Sequence, residues 1–433
     1  MSSYNNFFKN KTKSNFDKLH LYIEGKVTSE LNNIERISET LNTEYHAMHH
    51  FISDSNWDAR AVMDQVAKDV SQSLPRQMLT GLLIDESGWV KKGDKSVGVG
   101  HQYCGNVGKT ANSQVAVYGC LCNGKHASLV DCRLYLPASW TNDSQRCKKA
   151  DIPVEERIFK TKQELAADII KHQLAMGITF DYVGADGLYG NDAAFAREIN
   201  NMGLVYMLDI HSDQQIFLEE PELYLPERKT AKGPSPKKIK AITAHTTACK
   251  YMGSLESADW KAIDIRHSAK GVLKGFFHFR TVYIWDKNTN TVENRLLVVS
   301  KRKTKNGEEI KYSFTNASLG QYTEQAIAYM QAQRFFVEHS FKEQKQILGM
   351  DQFQTRKWMS WYHQIALNMM VGCFMLKEKL LNQDEIPILS ARDIMDFLFF
   401  KFYKELTEDR LLKQLKERHI KRQYDIDLCY SKQ

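Results

Sequence analysis

Two aspartates and one glutamate are the residues of this sequence whose types and spacing point to chemistry. Asp85 ends the apolar run Gly81-Leu-Leu-Ile, and Asp186 ends the run from Phe180 to Ala185, so each carboxylate falls where a short strand should finish. Strand ends of an open α/β sheet are where ligand sites gather. Glu338 lies far downstream, in QAQRFFVEHSFKEQK. A helix there places Arg334, Lys342 and Lys345 along one face with it. Phe335, Phe336 and Phe341 turn to other sides, where they can anchor the helix on a sheet.

Carboxylates gathered from two strand ends and a helix are hard oxygen ligands suited to a divalent ion. Phosphodiester chemistry uses two such ions about 4 Å apart, one activating the nucleophile and one stabilising the leaving oxygen. Fixed positive charge beside the third carboxylate suits a site that also holds a phosphate. Singly, each residue has an ordinary reading: a strand-end aspartate is commonly a turn or cap residue, and Glu338 with Lys342 is a common surface pair. Their order along the chain and the elements carrying them give the set its meaning. Glu86 points to the opposite face of a strand from Asp85 and reads as a supporting residue. Glu343, about 140° around the helix from Glu338, faces away.

The elements that must position this set follow from periodicity. Residues 1–78 read as helical, with apolar residues at helical spacing from Phe16 to Val27. Two short helices, NNIERISETL and EYHAMHHFIS, flank Asn42-Thr43, with Thr43 placed to cap the second. Four strand candidates follow: Gly81 to Asp85, SVGVGHQY, SQVAVYGCLC and ASLVDCRLYLP. Next come a helix from Lys162 to Met176, the strand ending at Asp186, a helix from Asp192 to Met202 and a strand from Leu204 to Ile210. An antiparallel block followed by helix, strand, helix and strand is the order of a ribonuclease-H-like core. Three opening strands suffice for it, so one of the four is a loop or an extension.

The stretch 221–240, rich in proline and lysine and including Arg228, Lys229, Lys237 and Lys238, reads as a linker. Strands resume at GVLKGFFHFRTVYIW, NRLLVVSKR and EIKYSFTNA, the last after an Asn306-Gly307 hairpin signal. Long helices are then expected from Tyr322 to Leu348 and from Thr355 to Leu381. Ser390-x-x-Asp393 opens another, and a charged helix ends the chain. The resulting organisation is an α/β fold: a helical region at 1–78, the ribonuclease-H-like core at 79–210, a β-rich insert at 211–320, the second part of the core at 321–385 and a helical region at 386–433.

A net charge of +7 is compatible with a polyanionic partner without demanding one. The eight cysteines include no CxxC pair, which argues against a zinc site and for free thiols in a reducing compartment. Cys120 and Cys122 read as packing residues, and His101, His126 and His211 as hydrogen-bonding residues. The N-terminus carries no secretory pattern, and the run Ile365 to Leu376 is too short to span a bilayer, so no membrane partner and a cytoplasmic location are expected.

The segments LLIDESGWVKKGDKSVGVGHQYCG, RLYLPASWT, G-A-D-G-L-Y-G and R-x3-E-x6-K resemble bacterial insertion-sequence transposases of the DDE class, in the branch with a β-strand insert before the catalytic glutamate. The resemblance runs from about Tyr45 to Met370. The branch's helix pattern opens with a tyrosine three residues before the arginine, and this chain has Gln331 there, with Tyr329 close by. The resemblance implies that Asp85, Asp186 and Glu338 bind two Mg2+ ions, with Mn2+ as a substitute. It implies that Arg334 and Lys345 contact DNA phosphates. It further implies cleavage of double-stranded DNA at terminal inverted repeats, joining to target DNA, a homodimer and an association with the nucleoid. Some members of the branch free the element through a hairpin intermediate, with an aromatic of the insert holding a displaced base.

Several readings stay open on the sequence. Lys237 and Lys238, with the neighbouring basic residues, belong either to a DNA contact or to a solvated linker. Trp260 and Trp285 either stack on a base or fill the insert's own core. The pair of short helices at 32–52 serves either DNA recognition, with Glu44, His46, His49 and His50 facing a groove, or structure and dimerisation. Two further functions compete with transposition: a metal-dependent nuclease without strand transfer, and a DNA-binding regulator whose catalytic site is vestigial.

Overall fold

The computed structural model describes residues 2–10, 13–227, 236–268, 271–304, 307–352, 354–386, 389–403 and 407–430. Ten strands form one mixed sheet: β1 (Gly81–Val90), β2 (Gly100–Cys104), β3 (Lys109–Asn123), β4 (His126–Leu134), β5 (Tyr182–Ala185), β6 (Val205–Asp209), β7 (Lys261–Ser268), β8 (Gly271–Asp286), β9 (Thr291–Thr304) and β10 (Gly307–Thr315). Their order is β7-β8-β9-β10-β6-β5-β1-β3-β2, with β4 also on β3. β1, β3 and β4 are antiparallel, while β5 and β6 join parallel to β1. This is the expected ribonuclease-H-like arrangement, and the fourth strand candidate is resolved by it. β2 is the short extension, pairing Gly100 to Cys104 with the first residues of β3 along the edge that β4 occupies further on.

Alternation along β3 decides which helices cover which face. Tyr118, Cys120 and Cys122 meet Phe341, Ser340 and Gln333 on one side, whereas a side chain at Gly119 would meet Ile169 on the other. Ile169 belongs to α5 (Lys162–Ala175), which Thr161 and Glu164 open with a reciprocal capping box. Asp85 lies directly opposite Tyr118 and Glu86 opposite Val117. Asp85 therefore faces the C-terminal helices and Glu86 faces α5, the opposition expected of neighbouring strand residues.

The remaining helices of eight or more residues are α1 (Phe16–Thr28), α2 (Ile34–Leu41), α3 (Tyr45–Ser53), α4 (Ala59–Ser73), α6 (Ala193–Asn201), α7 (Glu324–Gln333), α8 (Phe335–Gln346), α9 (Trp358–Leu381), α10 (Ala391–Phe402) and α11 (Glu408–Tyr430). Val62, Met63 and Val66 of α4 share one hydrophobic core with Leu82 and Val117 of the sheet and Trp361 of α9. The His363 ring of α9 stacks on Trp57 at 3.7 Å between centroids, so the N-terminal helices pack directly on the core. No helix among the described residues is long and apolar enough to cross a membrane.

Several local expectations are corrected. β1 does not stop at Asp85 but continues to Val90, because β3 goes on supplying antiparallel partners after β5 has ended. The long helix from Tyr322 is two helices, α7 and α8, that meet at Arg334, a turn residue whose backbone stays in the right-handed helical region (φ −53°, ψ −29°). α9 starts at Trp358, later than Thr355. Thr43 does not cap α3: the N-cap is Glu44, without a side-chain bond, and Asn42 in the left-handed region closes α2. Phe336 and Phe341 are buried, but Phe335 is exposed. β7 is a further strand of the insert, with Ile263 and Ile265 buried and Asp264 exposed between them. Of the expected linker, Arg228 and Lys229 lie outside the described residues, as do Asn306 and the tip of its hairpin.

Candidate active site

The register of β1 and β5 brings the two aspartates together. Ile84 pairs with Ala185 in parallel, so Asp85 and Asp186 are the next residues on neighbouring strands, about 5 Å apart along the hydrogen-bonding direction. There the paths diverge. Asp186 caps a single helical turn, Gly187–Gly190, its Oδ1 accepting a 3.0 Å hydrogen bond from the Leu188 amide. Asp85 Oδ1 accepts from the Glu86 amide at 2.8 Å.

The turn after Asp186 fits only because Gly190 has no side chain: a Cβ there would lie 1.9 Å from the backbone oxygen of Asp209. Asp209, the last residue of β6, thereby becomes a neighbour of the pair. Its signal in the sequence is the same as that of the other two, a carboxylate at the end of a short apolar strand.

Arg334 draws the helices onto this cluster. Its Nε lies 2.8 Å from Asp209 Oδ2, its Nη2 2.9 Å from Glu338 Oε1 and its Nη1 3.6 Å from Asp85 Oδ2. Burial works against the arginine's charge, yet Asp209, Asp85 and Glu338 more than offset it and hold the guanidinium firmly protonated. The carboxylates respond in the opposite sense. Burial, and then the Asp186 charge, push Asp85 well above the usual carboxylate range, with Arg334 only partly compensating. Asp186 is raised by burial and by Glu86. Glu86 itself is held by Lys162 at 2.9 Å and by the Tyr189 hydroxyl at 3.1 Å.

The donor set fits a hard divalent cation. Asp85 and Asp186 present neighbouring carboxylate oxygens, the ligands such ions take. Among the described residues no three acidic, histidine or cysteine side chains converge into a ready metal cluster, since Glu338 is turned toward Arg334. Asp85, Asp186 and Glu338 are the residues that would hold the ion.

The other site residues expected from the sequence divide. Lys345 is half-buried, its Nζ donating to the Gly88 carbonyl at 3.1 Å, and burial lowers its pKa. Its ammonium thus rests against the strand that carries Asp85 while the side chain stays partly exposed. Lys342 is exposed on α8, as are Lys237 and Lys238 on a loop closed by pairing of Leu223–Tyr224 with Lys240–Ala241. Trp285 on β8 lines a cavity of about 640 Å³ together with Leu188, Gly190, Asn191 and Phe217, next to the turn that Asp186 caps. Trp260 instead carries Lys301 over its ring at 3.9 Å. Tyr329 does not replace the tyrosine missing at 331: it is buried, donating to the Leu79 carbonyl and accepting from the Gly124 amide. Cys120 and Cys122 are buried packing residues, as expected.

Asp85, buried on a central strand of a ribonuclease-H-like sheet, and Asp186, half-buried just beyond the neighbouring strand, face a helix that carries Glu338, which is the arrangement expected of the DDE class. The chain belongs to the family of DDE superfamily endonucleases, whose model matches residues 8–272, the span containing Asp85 and Asp186. That membership implies dependence on a divalent metal ion. Glu338 lies beyond the matched span and rests on geometry. The chain is 34% identical over 172 residues to a probable transposase for insertion sequence element IS701 from Microchaete diplosiphon. That similarity spans 39% of this chain and 41% of the relative. The piggyBac transposase, solved by cryo-electron microscopy as a synaptic complex with hairpin DNA, aligns over 94% of this chain and 74% of its own, at 9% identity and a TM-score of 0.36.

Proposed function

We propose that this protein is a DNA transposase that cleaves double-stranded DNA at the terminal inverted repeats of a mobile element and joins the freed ends to target DNA. The observation that carries the reading is the meeting of Asp85 and Asp186 under an α8 face bearing Glu338 and Arg334. The relative described as a probable transposase supports it. Asp85, Asp186 and Glu338 would hold two Mg2+ ions, for which Mn2+ would substitute, and the bound metal would supply activation of the attacking oxygen and stabilisation of the leaving one. Arg334 faces the phosphate at the cut, and Lys345 fixes that end of α8 against β1.

A polyanion is also what the surroundings suit. Between the insert sheet and α7–α8 lies a groove of about 310 Å³ that includes Arg266, Arg302, Lys311, Arg334, Phe335 and Glu338. Basic side chains with an exposed aromatic are the combination that binds nucleic-acid strands. Lys342, Lys237 and Lys238 add phosphate contacts further out, and the cavity beside Trp285 receives a displaced base. The protein acts as a homodimer in the synaptic complex, in the cytoplasm at the nucleoid.

The test uses the inverted repeats flanking the gene as substrate. Wild-type protein with Mg2+ should cut at the repeat ends and join them to a target plasmid. Asp85→Asn, Asp186→Asn and Glu338→Gln should each lose cleavage on the order of 10³-fold while retaining binding of repeat DNA in EDTA. Cleavage without joining would identify a nuclease, and binding without cleavage a regulator.

A further inference from the structure

The arginine in the site has a support chain behind it that runs through the departure at position 331. Gln331 is buried, and its Nε2 donates to Ser313 Oγ at 2.9 Å and to the Val298 carbonyl at 3.3 Å. Ser313, fully buried, donates to Asp209 Oδ1 at 2.6 Å. The other Asp209 oxygen forms an ion pair with Arg334, 2.8 Å from its Nε, without the alignment of a hydrogen bond. The chain therefore starts on the catalytic helix pair, crosses β10 and β6 at the pair Ser313–Asp209, and returns to the helix pair at Arg334.

We infer that Gln331, Ser313 and Asp209 are positioning residues that hold Arg334 at the Nε edge of its guanidinium by the Asp209 ion pair, so that its two Nη atoms stay available to a phosphate without settling fully on the catalytic carboxylates. The Asp209 carboxylate, held in place by Ser313, fixes one edge of the rigid planar guanidinium by charge, and fixing one edge fixes the direction of the other. With Asp209 free to turn, nothing described on that edge would keep Arg334 from settling more fully on Asp85 and Glu338, where it competes with a divalent ion for the same oxygens. Ser313 prevents that turning, because one Asp209 oxygen is committed to its hydroxyl and the other faces Arg334. A glutamine serves at 331 because its amide supplies two donors, one for Ser313 and one for the Val298 carbonyl.

This rests on the nuclease reading of the site for its rate measurement but not for its binding measurement. The informative variant is Ser313→Ala, which changes no charge, compared in wild-type and Arg334→Ala backgrounds; Asp209→Asn in the same backgrounds is the second variant. Mn2+ binding to the full-length protein without DNA is read by calorimetry, and repeat-end cleavage by initial rate. Ser313→Ala should weaken Mn2+ binding about threefold and lower the turnover number about tenfold, with KM nearly unchanged. In the Arg334→Ala background both effects should fall below about 1.5-fold, because the residue through which the chain acts is gone. An equal effect of Ser313→Ala in both backgrounds, or no effect in either, overturns the proposal. A wild-type protein that never cuts DNA but shows the expected Mn2+ cycle would sink the transposase reading and leave the positioning chain standing.

Discussion

Arg334 Nη2 and Glu338 Oε1 pair at 2.9 Å across one helical turn, at the start of a helix that breaks from its predecessor at that same arginine. The pair links the half-exposed carboxylate of the site to its buried ones, because the same guanidinium also approaches Asp85. Arg334→Ala should therefore lower the cleavage rate by about 10² to 10³-fold, with a much smaller loss of affinity for repeat DNA. Turnover and binding measured on one substrate decide it; a loss confined to affinity would make Arg334 an ordinary backbone contact.

Gly190 sets the distance between the Asp186 turn and β6. Gly190→Ala forces a Cβ against the Asp209 backbone oxygen, a contact that no side-chain rotation relieves. The expected result is a destabilisation of about 1–3 kcal/mol or more, seen as a lower denaturation midpoint. Cleavage should fall as well, since the shift displaces Asp186. An unchanged midpoint would mean that the turn has slack here.

Trp285 borders the cavity beside that turn. Trp285→Ala should leave binding of repeat DNA nearly intact and lower cleavage, because a displaced base would lose about 1–3 kcal/mol of stacking. A 2-aminopurine placed at the terminal nucleotides of the repeat reports it directly. Its fluorescence should be quenched on binding wild type and not Trp285→Ala; equal quenching in both would return Trp285 to the insert's core.

Lys26 of α1 is fully buried, its Nζ donating to the Leu348 carbonyl at 2.6 Å just beyond α8. Burial lowers its pKa to about 7. The unfolded chain, with a lysine pKa near 10.4, then binds more protons than the folded one between those two values, so this group makes stability rise with pH across that window. Relative to Lys26→Met, wild type should gain stability from about pH 7 to about pH 10 and show no further change below pH 7. Parallel melting curves of both proteins over that range test it. A constant difference between them would place the ammonium in contact with water.

The order of elements and two strand-borne carboxylates were legible in the sequence because they depend on local pattern. The apolar run before Asp85, the one before Asp186 and the capping signals at Thr161 and Ser390 all reproduce in the structure. Helical spacing likewise placed Arg334 and Glu338 on one face before any contact was known. What the sequence left undecided depends on register and on approach between distant segments. Whether Phe335 or Phe336 is buried turns on which side of α8 meets the sheet, the side that carries Ser340 and Phe341. Asp209 enters the site only because β6 lies beside β5 and Gly190 lets its backbone come close. Ser313 reaches Asp209 only because β10 pairs with β6 in one register, and a slip of one residue would have turned its hydroxyl to the opposite face. Periodicity determined which residues share a face; only the packed sheet decided which faces meet.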